Sequence, residues 1–324
     1  MDLLKNFDNK YLARKQLLGE IIADLEAHKK SGQCENLYAL EVNLVFFRSL
    51  YRFRDFWHWF RRVRPTLDGK RLLELSDFHL SDGRWERRLQ RELLEIEKWK
   101  FPDILGRIRK ALLQQIADLN EPERHLMFVS LGSGSMEIER QLISKLRERG
   151  NRQKIIFFGI DNSDASLEIA RENLTDLGVK LFRTNNLDQV KISQMKRDFM
   201  NEQYVIILVN GDALALETYF GQKNIDVVYH SKFKHHLPDN LKNELDRMIE
   251  TVARRGVEYD DINGWFFLYV PIKSNWPKPL LLNGSIFSGL RDPSKKELKN
   301  NQITDWRIKI YFDGYLRVFQ KNYL

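Results

Sequence analysis

Five short apolar runs, set apart by amphipathic stretches, constrain this chain most. They are LMFVSL at 126–131, KIIFFGI at 154–160, YVIILV at 204–209, IDVVYH at 225–230 and WFFLYV at 265–270. Runs that are nearly continuously apolar, rather than alternating, suit strands covered on both faces, as in a parallel sheet between helical layers. The stretches between them have readable helix ends. Leu167, Ala170, Leu174 and Leu177 share one face, with Ser163 or Asp164 as N-cap and Gly178 as C-cap residue. Leu241, Leu245, Met248 and Val252 share another, and Gly256 is expected to close that helix. Near the end, apolar segments at 306–312 and 315–319 flank Asp313-Gly314, a strong hairpin signal. The expected fold over 126–324 is therefore α/β, a mostly parallel sheet closed by an antiparallel hairpin.

Residues 1–125 read as a separate helical domain. Leu17, Ile21 and Leu25 form one periodic face, and Leu93, Ile96 and Trp99 continue the theme after Gly83. Ile104, Ile108, Leu112, Ile116 and Leu119 step by helical spacing until Asn120-Glu121-Pro122 breaks the helix. The window from Phe46 to Arg91 holds twelve basic and six acidic residues, which is +6 of the chain's total of +8. Within it, FFRSLYRFRDFWHWFRRVRP interleaves arginines and aromatics. One reading is a surface for anions, with arginine on phosphate and aromatics stacking on bases. The other is an amphipathic helix, with Phe46, Leu50, Phe53, Trp57 and Phe60 as the buried stripe and Arg48, Arg52, Asp55 and Arg62 in solvent.

Several classes are excluded. With 20 Phe, 11 Tyr and 7 Trp, the chain has too many aromatics for intrinsic disorder. Its single cysteine, Cys34, cannot make an internal disulfide or a zinc site of several cysteines. The opening MDLLKNFDNK is charged within five residues, unlike a signal peptide, and the longest apolar stretch falls well short of the ~20 residues of a membrane span. A soluble, cytoplasmic protein with no membrane partner is expected.

The segment FVSLGSGSMEIERQL, at 128–142, carries the strongest chemical signal. A buried strand runs into Gly132-Ser133-Gly134 and then into a helix whose free N–H groups suit an anion. The next strand ends at Asp161, where a carboxylate can accept both protons of a ribose diol. Another ends in Asn210-Gly211-Asp212-Ala213, where an acid can accept from an adenine amine. Each feature has a plainer reading, as a packing glycine, a helix cap or a turn aspartate. Together they place three ligand-type features on one edge of the sheet.

On these residues the chain resembles the class I S-adenosylmethionine-dependent methyltransferases, a Rossmann-like superfamily with a seven-stranded sheet ending in an antiparallel hairpin. FVSLGSGS is similar to its glycine-rich motif, GIDNSDASLEIARENL to its second motif and NGDAL to its adenine motif. DVVYHSKFKHHLPD, at 226–239, is similar to its fourth strand. The resemblance implies S-adenosyl-L-methionine as cofactor, held by Leu131, Gly132, Ser133, Gly134, Asp161, Asn162, Asp212, Ala213, Tyr229 and His230. Asp161 would take the ribose, and Asp212 and Ala213 would flank the adenine. Three departures stand out. Ser130 replaces the usual acid, Met136 replaces the usual third glycine, and the insertion between Lys180 and Tyr204 is long.

No catalytic residue is fixed. His230 and His235, with His236 beside them, are candidate bases, and no metal is expected, because adjacent histidines diverge on a helix and no ligand cluster completes a set. Methyl transfer from an activated sulfonium mainly requires alignment and exclusion of water. The expected acceptor is an amine or hydroxyl of a small molecule or natural-product intermediate. Residues 1–125 would act as the lid that selects it and fold over the carboxyl edge of the sheet. Two alternatives stay open. One is an RNA or protein methyltransferase that holds nucleic acid or an acidic protein on the basic window. The other is an inactive methyltransferase-like scaffold.

Overall fold

The strand β1 (His125–Leu131) is buried on all but its first residue, so helices must cover both of its faces. The structure, a computed structural model, describes residues 2–32, 37–51, 83–98, 105–231, 233–261, 307–311 and 316–322. The chain divides into two compact units, Met1–Asp82 with Asn263–Asp292, and Gly83–Ile262 with Pro293–Leu324.

The described part of the first unit is two helices, α1 (Asp2–Ser31) and α2 (Leu37–Tyr51). Leu17, Leu18, Ile21 and Leu25 are buried on α1, as are Leu40, Leu44, Phe46, Phe47 and Leu50 on α2. Lys29 pairs with Glu41 at 2.7 Å and Arg48 with Glu26 at 2.6 Å. Phe46 and Leu50 are thus buried while Arg48 is exposed, as an amphipathic helix requires. Phe53, Trp57, Phe60 and the basic residues between Arg52 and Arg71 lie outside the described residues.

The second unit begins with α3 (Gly83–Glu97) and α4 (Gly106–Leu119), so the domain break expected at residue 125 falls inside it. After β1 come α5 (Glu137–Glu148), β2 (Lys154–Asp161), α6 (Asp164–Leu174), β3 (Lys180–Thr184), α7 (Gln189–Asp198) and β4 (Tyr204–Asn210). There follow α8 (Leu216–Phe220), β5 (Ile225–Ser231), α9 (Asp239–Val252), β6 (Ala253–Asp261), β7 (Arg307–Tyr311) and β8 (Leu316–Asn322). The strands form one sheet in the order β3-β4-β2-β1-β5-β6-β8-β7. The first six are parallel, β8 runs antiparallel to β6, and β7 antiparallel to β8.

Side chains alternate across β1. Met127, Val129 and Leu131 join Ile156, Phe158, Ile160, Val205, Ile207, Leu245 and Ile249 in the core on one face. Phe128 and Ser130 point the other way, where Phe128 meets Phe157 at 5.7 Å and Tyr229 at 6.3 Å between ring centres. Helix α6 has the cap its sequence suggests, for the Ser163 hydroxyl accepts from Ser166 N at 3.1 Å. After a single 3-10 turn, Gly178 closes it at φ 63°.

Three expectations change. The sheet has eight strands among the described residues, and the eighth arises from the long insertion, which folds as β3 and α7. β3 is a mostly exposed edge strand, so it lacks the apolar run that marks the others. Gly256 does not close α9, which ends at Val252, with Ala253 N bonded to Ile249 O. Gly256 instead pairs with Val228 inside β6. Arg254 and Arg255 hide this strand from a search for apolar runs, and Arg255 reaches Gln115 of α4 at 3.0 Å. The run at 265–270, read as a strand, lies outside the described residues.

At the amino edge of the sheet, buried Asp226 ties β5 to β1. It accepts two bonds from Arg124, at 2.7 and 2.9 Å, and one from Met127 N at 2.8 Å. Glu121 also pairs with Arg124. Removing one partner of such a pair leaves the other charge unsatisfied, although half-exposed Arg124 can recover some solvation. Asp226→Ala should lower stability by about 2–4 kcal/mol in urea denaturation. A loss below about 1 kcal/mol would contradict this role.

Candidate functional site at the carboxyl edge of the sheet

Strand register brings the sequence candidates together. Leu131 of β1 pairs with Ile160 of β2 and with His230 of β5, and Asp161 pairs with Asn210 of β4. The turn after β1, Asp161, the Gly211-Asp212 turn and the end of β5 therefore line one edge. The chain builds β2, β3 and β4 to one side of β1 and β5 and β6 to the other. The gap between β1 and β5 is a topological switch point, where ligands of open α/β sheets bind.

Asp161 organises this edge. Its Oδ2 accepts from Gly134 N at 2.9 Å and its Oδ1 from Ser163 N at 3.0 Å. Each oxygen keeps a lone pair for another donor. Enclosure raises its pKa, and the two N–H donors and His236 oppose that rise. Gly132 and Gly134 stand at φ 57° and 51°, a region costly for residues with a Cβ. At Gly132 a Cβ would also strike the Phe233 ring. The Ser133 hydroxyl is buried with no partner among the described residues.

Met136 occupies the third-glycine position in left-handed geometry, at φ 52°, and is buried. It fits because β2 carries Gly159 opposite, where a Cβ would come within 2.5 Å of Met136 Sδ. Ser130 is bare of charge, yet an acid stands beside it. Glu139 of α5, 1% exposed, accepts from the Tyr229 hydroxyl at 2.5 Å through Oε1, and its Oε2 is unpartnered. Burial, opposed chiefly by the Tyr229 bond, pushes the Glu139 pKa up to about 7.

The other candidates fall in different places. Asn162 and Asp212 are exposed at the edge, and Asp212 caps the following turn by accepting from Leu214 N at 2.8 Å. Ala213 is nearly buried beside it. Leu131 and Tyr229 turn their side chains into the core, as strand alternation dictates, so they are not brought to the edge. His230 is also buried, 6.2 Å from Phe233 between ring centres. His235 lies in the 3-10 turn Lys234–His236. His236 bears electrostatically on Asp161. Among the described residues no cluster of three or more His, Cys, Asp or Glu could hold a metal ion, and no helix is long and apolar enough to cross a membrane.

Sequence reasoning read α3 as a helix but missed the polar residues it brings to this edge. Its Glu86 is buried beside Ser163, Ser166 and Asp161. Gln90 Oε1 lies 3.4 Å from where a Gly134 Cβ would stand, and Glu97 accepts from Ser135 Oγ at 2.8 Å. Glu86, Gln90 and Glu97 follow helical spacing, so polar groups interrupting one stripe were the available signal. Arg87 and Arg91 of the basic window pair with Glu168 and Glu172 of α6, at 3.1 and 3.4 Å.

The fold is a Rossmann-like α/β sheet with a glycine turn and a carboxylate at one edge. No family model and no curated protein matches the chain. Among solved structures it is similar to S-adenosylmethionine-dependent methyltransferases. The plantazolicin methyltransferase BamL, in complex with a triazolic desmethylPZN analogue and SAH, is 11% identical, with 82% of this chain and 99% of that one covered and a TM-score of 0.49. A methyltransferase from Methanococcus maripaludis is 15% identical, with 73% and 93% covered and a TM-score of 0.44. The CurJ carbon methyltransferase is 12% identical, with 94% and 70% covered and a TM-score of 0.46.

The Glu139 cluster gives a pH dependence. A carboxyl with a folded pKa of about 7 and an ordinary value of 4.5 takes up a proton on folding. Its contribution is complete below the lower value and is lost as pH rises through the upper one. The stability of the wild type relative to Glu139→Gln should therefore fall between pH 4.5 and 7.5, by up to about 3 kcal/mol. Parallel stability curves would show that Glu139 does not titrate in this range.

Proposed function

We propose that this protein is a methyltransferase using S-adenosylmethionine, bound at the carboxyl edge between β1 and β5. The observation that carries this reading is Asp161, which holds the Gly134 and Ser163 amides and keeps lone pairs for a ribose diol. The site fits the cofactor in two further respects. The positive-φ glycines leave room along the loop, and the Ser133 hydroxyl is a donor without a partner. Asp212 and Ala213, at the neighbouring strand end, would flank the adenine, with Asp212 accepting from its amine. The remaining expected cofactor contacts, Leu131, Asn162, Tyr229 and His230, are left to backbone or to Asn162, since three of those side chains are buried.

The bound sulfonium would supply an already activated methyl group. The chain's own work is then to align the acceptor and exclude water. Phe233, packed against Gly132, gives the switch point an apolar wall suited to that task. His236, near Asp161, is the histidine best placed to bear on the edge. The acceptor proposed is an amine or hydroxyl of a small molecule, with helix α3 forming its second wall. Support comes from α3, which lays Gln90 and Glu97 against the glycine loop.

Calorimetry tests the cofactor assignment. Asp161→Ala should weaken S-adenosylhomocysteine binding by about one to two orders of magnitude, the worth of a charge-assisted hydrogen bond. Equal affinity in the two proteins would show that β2 does not carry the ribose site.

A further inference from the structure

Contacts with Ser163 and Ser166 leave one carboxyl oxygen of Glu86 unused. The residue is an acid on α3 with 6% exposure, set against the turn that follows β2. The start of α6 does not need it as a cap, because Ser163 already accepts from Ser166 N. The other acids at this turn are satisfied. Asp164 pairs with Arg183 and accepts from Asn210 Nδ2 at 2.5 Å, and Asp161 holds two backbone amides. Glu86 has the neighbouring Ser163 and Ser166 hydroxyls, but its Oε1 is buried without a partner among the described residues. An unpartnered carboxyl oxygen in a dry site is destabilising, and a protein retains one where a ligand donor completes it.

We infer that Glu86 is a second carboxylate of the nucleoside site, and that it shares the ribose diol with Asp161. The inference rests on the cofactor reading above. A vicinal diol carries two O–H donors about 2.8 Å apart, and two carboxylates from different elements can each accept one. A cation would be the other way to satisfy adjacent acids. The diol fits better, because each Asp161 oxygen already accepts a backbone amide and Asp164 already faces Arg183 and Asn210. Bound ribose would thereby tie α3 to β2. Gln90 and Glu97, one and three turns further along the same helix, would keep the glycine loop covered.

The test compares two ligands on the full chain by calorimetry, S-adenosylhomocysteine and its 2′,3′-dideoxy analogue. Glu86→Gln keeps the shape and removes the charge, and should weaken S-adenosylhomocysteine about tenfold while changing the dideoxy analogue less than about twofold. Glu86→Asp, a second variant that keeps the charge but withdraws it by one methylene, should show the same selective loss. Glu168→Gln, which breaks only the exposed contact with Arg87, should change neither ligand. Loss of affinity for both ligands alike would make Glu86 a merely structural residue and overturn the inference. So would unchanged affinity for S-adenosylhomocysteine in both Glu86 variants. If the wild type fails to bind S-adenosylhomocysteine at all, the cofactor reading itself falls, and this inference with it.

Discussion

One carboxylate fixes the edge on which the functional reading depends. Asp161, at the end of β2, receives the amide of Gly134 from the turn after β1 and the amide of Ser163 from the turn before α6. Its own carbonyl accepts from Gly211 N at 3.1 Å, which sets the turn after β4. Three loops are therefore registered on a single residue. None of these bonds involves an apolar contact, so the geometry of the edge is decided by direction and not only by burial. The parallel core beneath supplies the rigidity, since every residue from Ile155 to Ile160 is buried.

Two of the three departures from the pattern that the sequence resembles have local compensations. Met136 tolerates a left-handed backbone because its side chain is fully buried against Gly159, and burying a methionine offsets a strain of roughly 1–2 kcal/mol. Ser130 leaves no charge on β1, but Glu139 brings a carboxyl to the same place from α5, held by Tyr229. Both side chains are buried. Gly132 and Gly134 keep their positive φ, and Asp161 keeps its two amide donors.

Strands β1, β2, β4 and β5 were legible because burial on both faces leaves continuous apolar runs. β3 and β6 were not. The first is an edge strand, and the second carries adjacent arginines, Arg255 reaching Gln115 of α4 and Arg254 reaching Asp226 of β5. Of the site, the glycine turn, Asp161 and Asp212 could be read from their positions after strands. The core placement of Tyr229 and His230 could not, because the face a strand residue takes depends on register with its neighbours. Glu86 and Glu139 were hidden for another reason. An acid on an amphipathic helix reads as solvent-facing until packing shows it turned inward.

The central claim is that the carboxyl edge between β1 and β5 binds the cofactor. Amide chemical shifts of the labelled protein, recorded as S-adenosylhomocysteine is added, test it directly. The account predicts that the amides of Ser133, Gly134, Ser163 and Gly211 shift together and saturate, while Met127, bonded to Asp226 at the opposite edge, stays in place. Shifts centred on the Asp226 edge, or none at the glycine turn, would contradict it.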